Sequence, residues 1–402
     1  MIKKILIGQL QPGMYIHDLN CDWMSHPFAR SKFLLKDPAD IGKIHEAGIP
    51  EVYIDTDKGL DVVDAPTESE VRAETEHRML ELAAAPAPEP IKVSAIEELA
   101  RAQRIHEQAG RVVRNVMNDA RLGRAVQVAD IEAVVTDITA SVARNNGALL
   151  SLLRLKDADD YTYMHCVAVG TMMVTFARHL GLEAEIVRQA GIGGLMHDVG
   201  KMKIPDKVLN KPGKLTEEEF AVIRHHPEEG HAILVASGAV GEIPLDITLH
   251  HHERIDGSGY PHKLTQDRIS TLAKMSAIVD VYDAITSDRV YHKGMAPTEA
   301  LRKMFEWSKF HFEEKLVHHF MRCIGIYPVG TLVMLESGRL GVVTDQTDGN
   351  LLAPRVRVFF STRANCYIKP EELDLTRGSD RITSHELPEK WGVDPMRFLQ
   401  AA

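Results

Sequence analysis

Six side chains between positions 197 and 280 have the chemistry of a metal site: the adjacent pair His197-Asp198, the single His226, the adjacent pair His251-His252, and Asp280. Imidazole nitrogen and carboxylate oxygen are donors suited to first-row divalent cations. One ion needs fewer donors than this, so the set predicts two ions side by side. Neighbouring side chains on a helix diverge by about 100°, which lets His197 serve one ion while Asp198 reaches toward two. A carboxylate can bridge because it has two oxygens, whereas a neutral imidazole offers a single lone-pair nitrogen. Paired ions ~3.5–4 Å apart clamp the attacking and leaving oxygens of a phosphoryl group, and a hydroxide held between them is a nucleophile near neutral pH.

A single histidine is more often packed or solvated than ligating. Here 14 of the 20 histidines fall between His165 and His319, the others being His17, His26, His45, His77, His106 and His385. That crowding favours chemistry over coincidence. By contrast His179, His231, His262, His318 and His319 read as packed or surface residues, and His225 as a surface neighbour of His226.

Helices must present these groups. The apolar run Ile192 to Met196 predicts a helix leading into His197. Thr216-Glu217-Glu218-Glu219 has the form of a capping box, expected to open the helix that carries His226. Asp280 sits in a helix-period run from Leu272 to Ile285. Gly257-Ser258-Gly259-Tyr260-Pro261 forms a tight turn among the candidate ligands. Tyr260 there can simply pack over its own turn.

Around this core the chain divides into an all-α central domain, a small α+β N-terminal domain and a small β-rich C-terminal extension. The expected boundaries are 1–64, a linker at 65–93, the helical domain at 94–325 with a helical lead-in at 94–150, and 326–402. Short apolar runs at Ile5 to Gly8, Met14 to Ile16, Phe33 to Leu35 and Val52 to Ile54 predict strands. Asp37-Pro38 predicts a helix start and Gly48 its stop. Residues 57–93 are polar and end in Ala83-Ala84-Ala85-Pro86-Ala87-Pro88-Glu89-Pro90, a linker composition. Ser94-Ala95-Ile96-Glu97 predicts the cap of a long helix. Its apolar stripe (Ile96, Leu99, Ala102, Ile105) fits intramolecular packing, with pairing to a second copy as the alternative. Beyond Tyr327-Pro328 the pattern alternates, and Glu336-Ser337-Gly338-Arg339 joins two strands as a hairpin.

Bulk properties narrow the partners. A net charge of −10 argues against binding a nucleic-acid polymer, which demands a basic surface. It leaves room for a small anion held by metals and local cations. No stretch approaches the ~18 apolar residues of a membrane span, and the N-terminal apolar run is too short for a signal peptide. Cys21, Cys166, Cys323 and Cys366 form no CxxC pair, which suits reduced thiols and a cytoplasmic location.

From about residue 155 to 325 the sequence resembles the HD-GYP phosphodiesterases of the HD hydrolase superfamily. The motifs run in order: Tyr161-Thr162-Tyr163-Met164-His165, His197-Asp198-Val199-Gly200-Lys201, Ile204-Pro205 and Asn210-Lys211-Pro212-Gly213. Then follow His226-Pro227, His251-His252-Glu253, Gly259-Tyr260-Pro261, Asp280-Val281-Tyr282-Asp283-Ala284 and Ser287-Asp288-Arg289. The N-terminal part is similar to the small domain of unassigned role that often precedes HD-GYP.

The resemblance implies hydrolysis of cyclic di-GMP to linear pGpG, with further cleavage to GMP left open. It implies His165, His197, Asp198, His226, His251, His252 and Asp280 as metal ligands, with Asp198 bridging. Lys201 would meet a phosphate oxygen and Arg289 the second phosphate, and Tyr260 joins the substrate-contact candidates. His292 and Lys293 stand where the family has a basic residue after that arginine. Family members with a third metal have a Glu four residues before the first ligand histidine. Tyr161 occupies that place, so two metals are expected, although Asp157, Asp159 and Asp160 lie close by. A mixed His/carboxylate set suits iron or manganese better than thiolate-preferring zinc. The Gly-Tyr-Pro loop is a partner surface by family resemblance. The alternatives are hydrolysis of another cyclic or linear dinucleotide, such as mixed GMP-AMP, and a non-hydrolysing sensor.

Overall fold

The computed structural model describes residues 1–21, 26, 28, 32–83, 93–153, 161–211, 213, 215–238, 240–287, 294–347 and 350–399. The N-terminal part holds β1 (Ile2–Leu6), β2 (Tyr15–Asp18), β3 (Phe33–Leu34), α1 (Pro38–Glu46) and β4 (Glu51–Asp55). They form an antiparallel sheet in the order β1-β4-β2-β3. Ile5, Ile16, Ile44, Val52 and Ile54 form its core. The first strand ends at Leu6 rather than Gly8, because Ile7–Gln9 turns into a 3-10 helix. Asp37 caps α1 by accepting a hydrogen bond from the Ala39 N–H at 2.9 Å, and Gly48 ends the turn at a φ of 69° that few side chains tolerate.

Residues 65–93, expected as a linker, contain α2 (Glu68–Ala83). Its polar composition hides a packed helix. Met79 is buried in the main core, and Arg78 pairs with Glu314 at 2.6 Å. Little apolar surface is needed when a helix docks through one methionine and its charges.

The helical body begins with α3 (Ala95–Arg121), α4 (Val128–Arg144) and α5 (Asn146–Leu152). Ser94 and Glu97 cap α3 reciprocally. Ala102 and Ile105 are buried in the protein's own core, so this part of the stripe packs intramolecularly. Next come α6 (Tyr161–His179), α7 (Ala184–Met196), α8 (Asp206–Leu209), α9 (Glu217–Ile223), α10 (His226–Ser237) and α11 (Glu242–His250). The body closes with α12 (Thr271–Thr286), α13 (Pro297–Trp307) and α14 (Glu314–Ile324). Every residue of α6 from His165 to Ala177 is buried, as expected of a helix apolar on all sides. It crosses α7 at Gly170 and Gly194, where a Cβ on Gly194 would lie 2.8 Å from the Gly170 Cα. These two missing side chains let the backbones touch and draw His165 toward His197.

The capping box at Thr216 opens α9, not the helix carrying His226. Proline lacks an amide N–H and clashes with the preceding turn. Pro227 therefore forces a break after Ile223, and His226 starts a new helix.

The C-terminal sheet comprises β5 (Leu332–Leu335), β6 (Arg339–Asp345), β7 (Arg355–Ser361), β8 (Cys366–Asp374) and β9 (Ile382–His385), in the order β8-β7-β6-β5-β9. The β5–β6 hairpin pairs Leu332 with Val342, and Gly338 takes the left-handed conformation its turn needs. Two short helices, α15 (Pro388–Trp391) and α16 (Met396–Leu399), follow. Cys21, Cys166, Cys323 and Cys366 form no disulfide with one another. Among the described residues no helix is long and apolar enough to cross a membrane.

Candidate metal centre

Four of the five candidate histidines stand at helix ends, with His165 inside α6, and this placement defines their chemistry. His197 caps the C-terminus of α7, His226 begins α10 directly after α9, and His251-His252 form the turn after α11. The last four carbonyls of a helix lack intrahelical N–H partners. Each imidazole uses one. His197 Nδ1 donates to the Gly194 carbonyl at 2.8 Å, His226 Nδ1 to Ile223 at 2.8 Å, and His251 Nδ1 to Thr248 at 2.9 Å. A carbonyl can only accept, so Nδ1 carries the proton and Nε2 keeps its lone pair. Three rings are thereby locked as Nε2 donors before any ligand arrives.

Those nitrogens converge on Asp198, which is 1% exposed. Its Oδ1 lies 3.3 Å from His226 Nε2 and 3.9 Å from His251 Nε2. Its Oδ2 lies 3.6 Å from His165 Nε2 and 3.4 Å from His197 Nε2. Asp280, on α12, places Oδ1 3.0 Å from His165 Nε2 and Oδ2 3.7 Å from His252 Nδ1. Two groups of donors could each hold an ion: Asp198, His226, His251 and His252, and His165, His197 and Asp280. All seven residues expected as ligands are buried and meet in one place. Asp198 stands between the groups with one oxygen toward each.

Charge supports a cation site. Asp198, Asp280 and Asp283 are buried carboxylates, and Lys201 Nζ pairs with the first at 2.5 Å from its Oδ2. Burial alone would lift the Asp198 pKa, but Lys201 and His197 prevail and hold it well below the ordinary carboxylate range. Burial likewise opposes ionisation of Asp280, and contact with the His165 imidazole, helped by His252 and His197, outweighs it and holds the pKa well below the ordinary value. Burial pushes the pKa values of His251 and His252 well down, helped by neighbouring imidazoles, so both stay neutral and able to ligate. For His197 burial acts the same way, but the Asp198 carboxylate outweighs it and the pKa rises. His197 Nε2 and Asp198 Oδ1 are buried without a hydrogen-bond partner, a costly arrangement for polar atoms in water-free surroundings and the normal one for metal ligands. Cys166 also lies beside His197 and Asp198. Burial raises its thiol pKa well above the usual value, which disfavours a thiolate ligand and leaves a nitrogen and oxygen donor set.

Sequence reasoning assigned no role to Asp283 or Glu253. Asp283 Oδ2 lies 2.7 Å from His165 Nδ1 and so does for His165 what carbonyls do for the other rings. Its spacing of three from Asp280 on one helix was a usable signal, since i and i+3 share a face. Glu253, 2% exposed, accepts from the His262 and Leu264 N–H groups at 2.7 and 2.9 Å and fastens the Gly-Tyr-Pro loop. Within that loop the Tyr260 ring stacks on His252 at 4.6 Å. Tyr161, one helical turn before His165 on α6, stacks on it at 5.9 Å. His225 is exposed and pairs with Glu228. His250 turns away to Asp246 and His262 at 2.7 and 3.1 Å. Arg289, His292 and Lys293 lie outside the described residues, as do Asp157, Asp159 and Asp160.

Comparison with known proteins decides the family. Residues 143–316 match the HD domain, and residues 2–131 match a domain of unknown function, DUF3391. A cyclic di-GMP phosphodiesterase of Pseudomonas aeruginosa is 47% identical over 97% of this chain and 94% of its own length. This chain belongs to the HD-GYP family. Two further relatives match over about a third of the chain. The cyclic di-GMP phosphodiesterase response regulator RpfG of Xanthomonas campestris is 40% identical over 36% of this chain and 39% of its own length. A 3'3'-cGAMP-specific phosphodiesterase of Vibrio cholerae is 34% identical over 36% of this chain and 33% of its own length. The match to the N-terminal family reaches residue 131, beyond the boundary at 64 expected from composition, and so takes in α3, which packs with the helical body. The HD-GYP chain is a hydrolase with a donor set fit for metals.

Proposed function

We propose that this chain hydrolyses cyclic di-GMP to linear pGpG with two divalent metal ions, iron or manganese. The observation that carries the reading is Asp198, whose two oxygens face separate sets of imidazole nitrogens beside Lys201. The name and near full-length match of the Pseudomonas relative support the substrate. His165, His197 and Asp280 would hold one ion with Asp198 Oδ2. His226, His251 and His252 would hold the other with Asp198 Oδ1. When bound, such ions make water acidic enough to attack near neutral pH and neutralise a phosphodiester.

The chain's own residues do the rest. The backbone carbonyls and Asp283 fix which ring nitrogen is free. Lys201 keeps Asp198 ionised. With its side chain 17% exposed, it also presents a cation toward solvent, where a phosphate oxygen can meet it. Such a fixed charge acts on the charge that develops in the transition state. Tyr260 braces His252 by stacking.

The test is anaerobic purification, metal analysis, and chromatography of the products from cyclic di-GMP. Replacing His197 and Asp198 together by Ala should abolish both metal content and turnover. Full activity of that double variant in metal-free buffer would overturn the reading. Competition with mixed GMP-AMP measures base selectivity, which the cGAMP-specific Vibrio relative makes worth resolving. Binding without product across Fe(II), Mn(II) and Mg(II) would instead identify a sensor.

A further inference from the structure

The N-terminal domain touches the loop that braces the metal ligands. A Cβ built on Gly48 would lie 2.1 Å from the Ser258 Cβ and 2.4 Å from its Oγ. The backbone of the turn between α1 and β4 therefore rests directly on the Ser258 side chain. His311 donates from Nε2 to the Gly48 carbonyl at 3.2 Å and holds the turn there. Ala47 joins Arg224, His252, Arg254 and Tyr260 around one small cavity.

From Ser258 the contacts lead inward. Its N–H and hydroxyl both bond Asp256, at 2.9 and 2.7 Å, so the residue is fixed within the loop. Gly259 is folded so tightly that a Cβ would meet the Arg254 nitrogen at 2.4 Å. Tyr260 donates its N–H to the His252 carbonyl at 3.2 Å and stacks on that ring. Gly48, Ser258, Tyr260 and His252 thus form a continuous packed path from one domain to the proposed ligand set.

The domain is also anchored. The Tyr53 hydroxyl donates to Glu306 on α13 at 2.8 Å, both groups buried. Lys4 pairs with Glu51 at 2.6 Å and approaches the same Glu306 at 3.5 Å. Trp307 Nε1 donates to the Asn20 side chain at 3.2 Å, and Lys303 pairs with Asp18 at 2.5 Å. A buried polar cluster of this kind fixes one docking geometry, because any other leaves its groups unpaired.

We propose that the Ala47–Gly48 turn positions the Gly257–Pro261 loop, and through Tyr260 the ligand His252, so that the N-terminal domain is a control input to the metal centre. The inference rests on the proposed function for its ligand assignment. The Gly-Tyr-Pro loop, a partner surface by family resemblance, here has a partner within its own chain. A shift of the turn by the width of a methyl group cannot be absorbed at Ser258. It passes to Tyr260 and changes how His252 faces the ions.

Spatial continuity alone does not establish coupling, and a double-mutant cycle does. The full-length, metal-loaded protein is compared with Gly48→Ala, Ser258→Gly and the double variant. Gly48→Ala should lower kcat about tenfold or more, with little change in KM. The double variant should recover most of that activity, because the added methyl then has space. Its thermal stability should stay reduced, since alanine at a φ of 69° remains strained. That split separates positioning from general damage. Ser258→Val enlarges the same contact from the other side, without the backbone penalty, and should reproduce the loss of kcat.

Titration with Co(II) reads the ligand field without substrate. Its visible absorption band should change in Gly48→Ala and Ser258→Val and revert in the double variant. Unchanged kcat and cobalt spectrum in Gly48→Ala and in Ser258→Val would overturn the coupling. So would an equal loss in the double variant. A wild-type protein that never turns over cyclic di-GMP would refute the proposed function, while the cobalt spectra would still decide the coupling.

Discussion

His165 Nδ1 lies 2.7 Å from Asp283 Oδ2, and both residues are buried. A carboxylate behind a histidine fixes the ring and raises the basicity of the nitrogen facing the metal, and losing such a partner weakens metal binding by roughly 10–100-fold. Asp283→Asn should therefore lose affinity by that factor at the ion that His165 would hold, and turnover should return when metal is added in excess. Competition against a chromophoric chelator measures the change. Wild-type affinity in the variant would remove Asp283 from the site.

The crossing of α6 and α7 makes a second prediction. Gly194→Ala would place a Cβ 2.8 Å from the Gly170 Cα, on backbone that cannot move aside as a side chain can. Overpacking of this kind costs about 1–3 kcal/mol. The helices it separates carry His165 and end at His197, so bound metal should fall along with melting temperature. Calorimetry with and without metal, together with metal analysis, tests both. A variant that melts and binds like wild type would show that the close approach is not needed.

Lys201 is the third case. Lys201→Met keeps the length of the side chain and removes its charge. Loss of a fixed charge at a developing anion typically lowers kcat by about 10²–10³-fold. Metal content should be retained, since Asp198 keeps its imidazole neighbours. Steady-state kinetics separates the options: a rise in KM with kcat unchanged would mean that Lys201 binds the substrate equally in ground and transition states.

Much of this centre could be read before the fold was known, and the reasons differ by residue. His197, Asp198, His226, His251, His252 and Asp280 announced themselves because histidines crowd this stretch and stand beside aspartate. What the sequence concealed was geometry. The capping box at Thr216 placed His226 within a helix, yet His226 and His251 stand at helix ends, where unpaired carbonyls select the imidazole tautomer. Pro227 carried that signal for His226, since proline ends a helix as readily as it starts one. Asp283 was hidden because its role depends on His165, 118 residues away. The helix at Glu68–Ala83 was hidden because a polar helix anchored by Met79 has the composition of a linker. The contact between Gly48 and Ser258 joins separate domains, and no local pattern encodes such a contact.

Asp345 yields a prediction about stability rather than catalysis. It ends β6 where the C-terminal sheet meets the start of α3, and it is 5% exposed. It accepts from the Gln346 N–H at 2.9 Å and the Ala95 N–H at 3.4 Å. Burial nevertheless dominates and lifts its pKa from 3.8 to about 6. A carboxyl whose pKa is raised by folding contributes most below its unfolded value, and the contribution is lost as pH rises through the folded value. The window here runs from 3.8 to about 6. Above it the native state holds a charge that the unfolded chain holds more comfortably, a difference on the order of 2–3 kcal/mol. Asp345→Asn keeps an acceptor oxygen and removes the charge. Its melting temperature should exceed that of wild type at about pH 7.5, and the gain should vanish at about pH 4. An equal gain at both pH values would show that the charge of Asp345 is not what strains this junction.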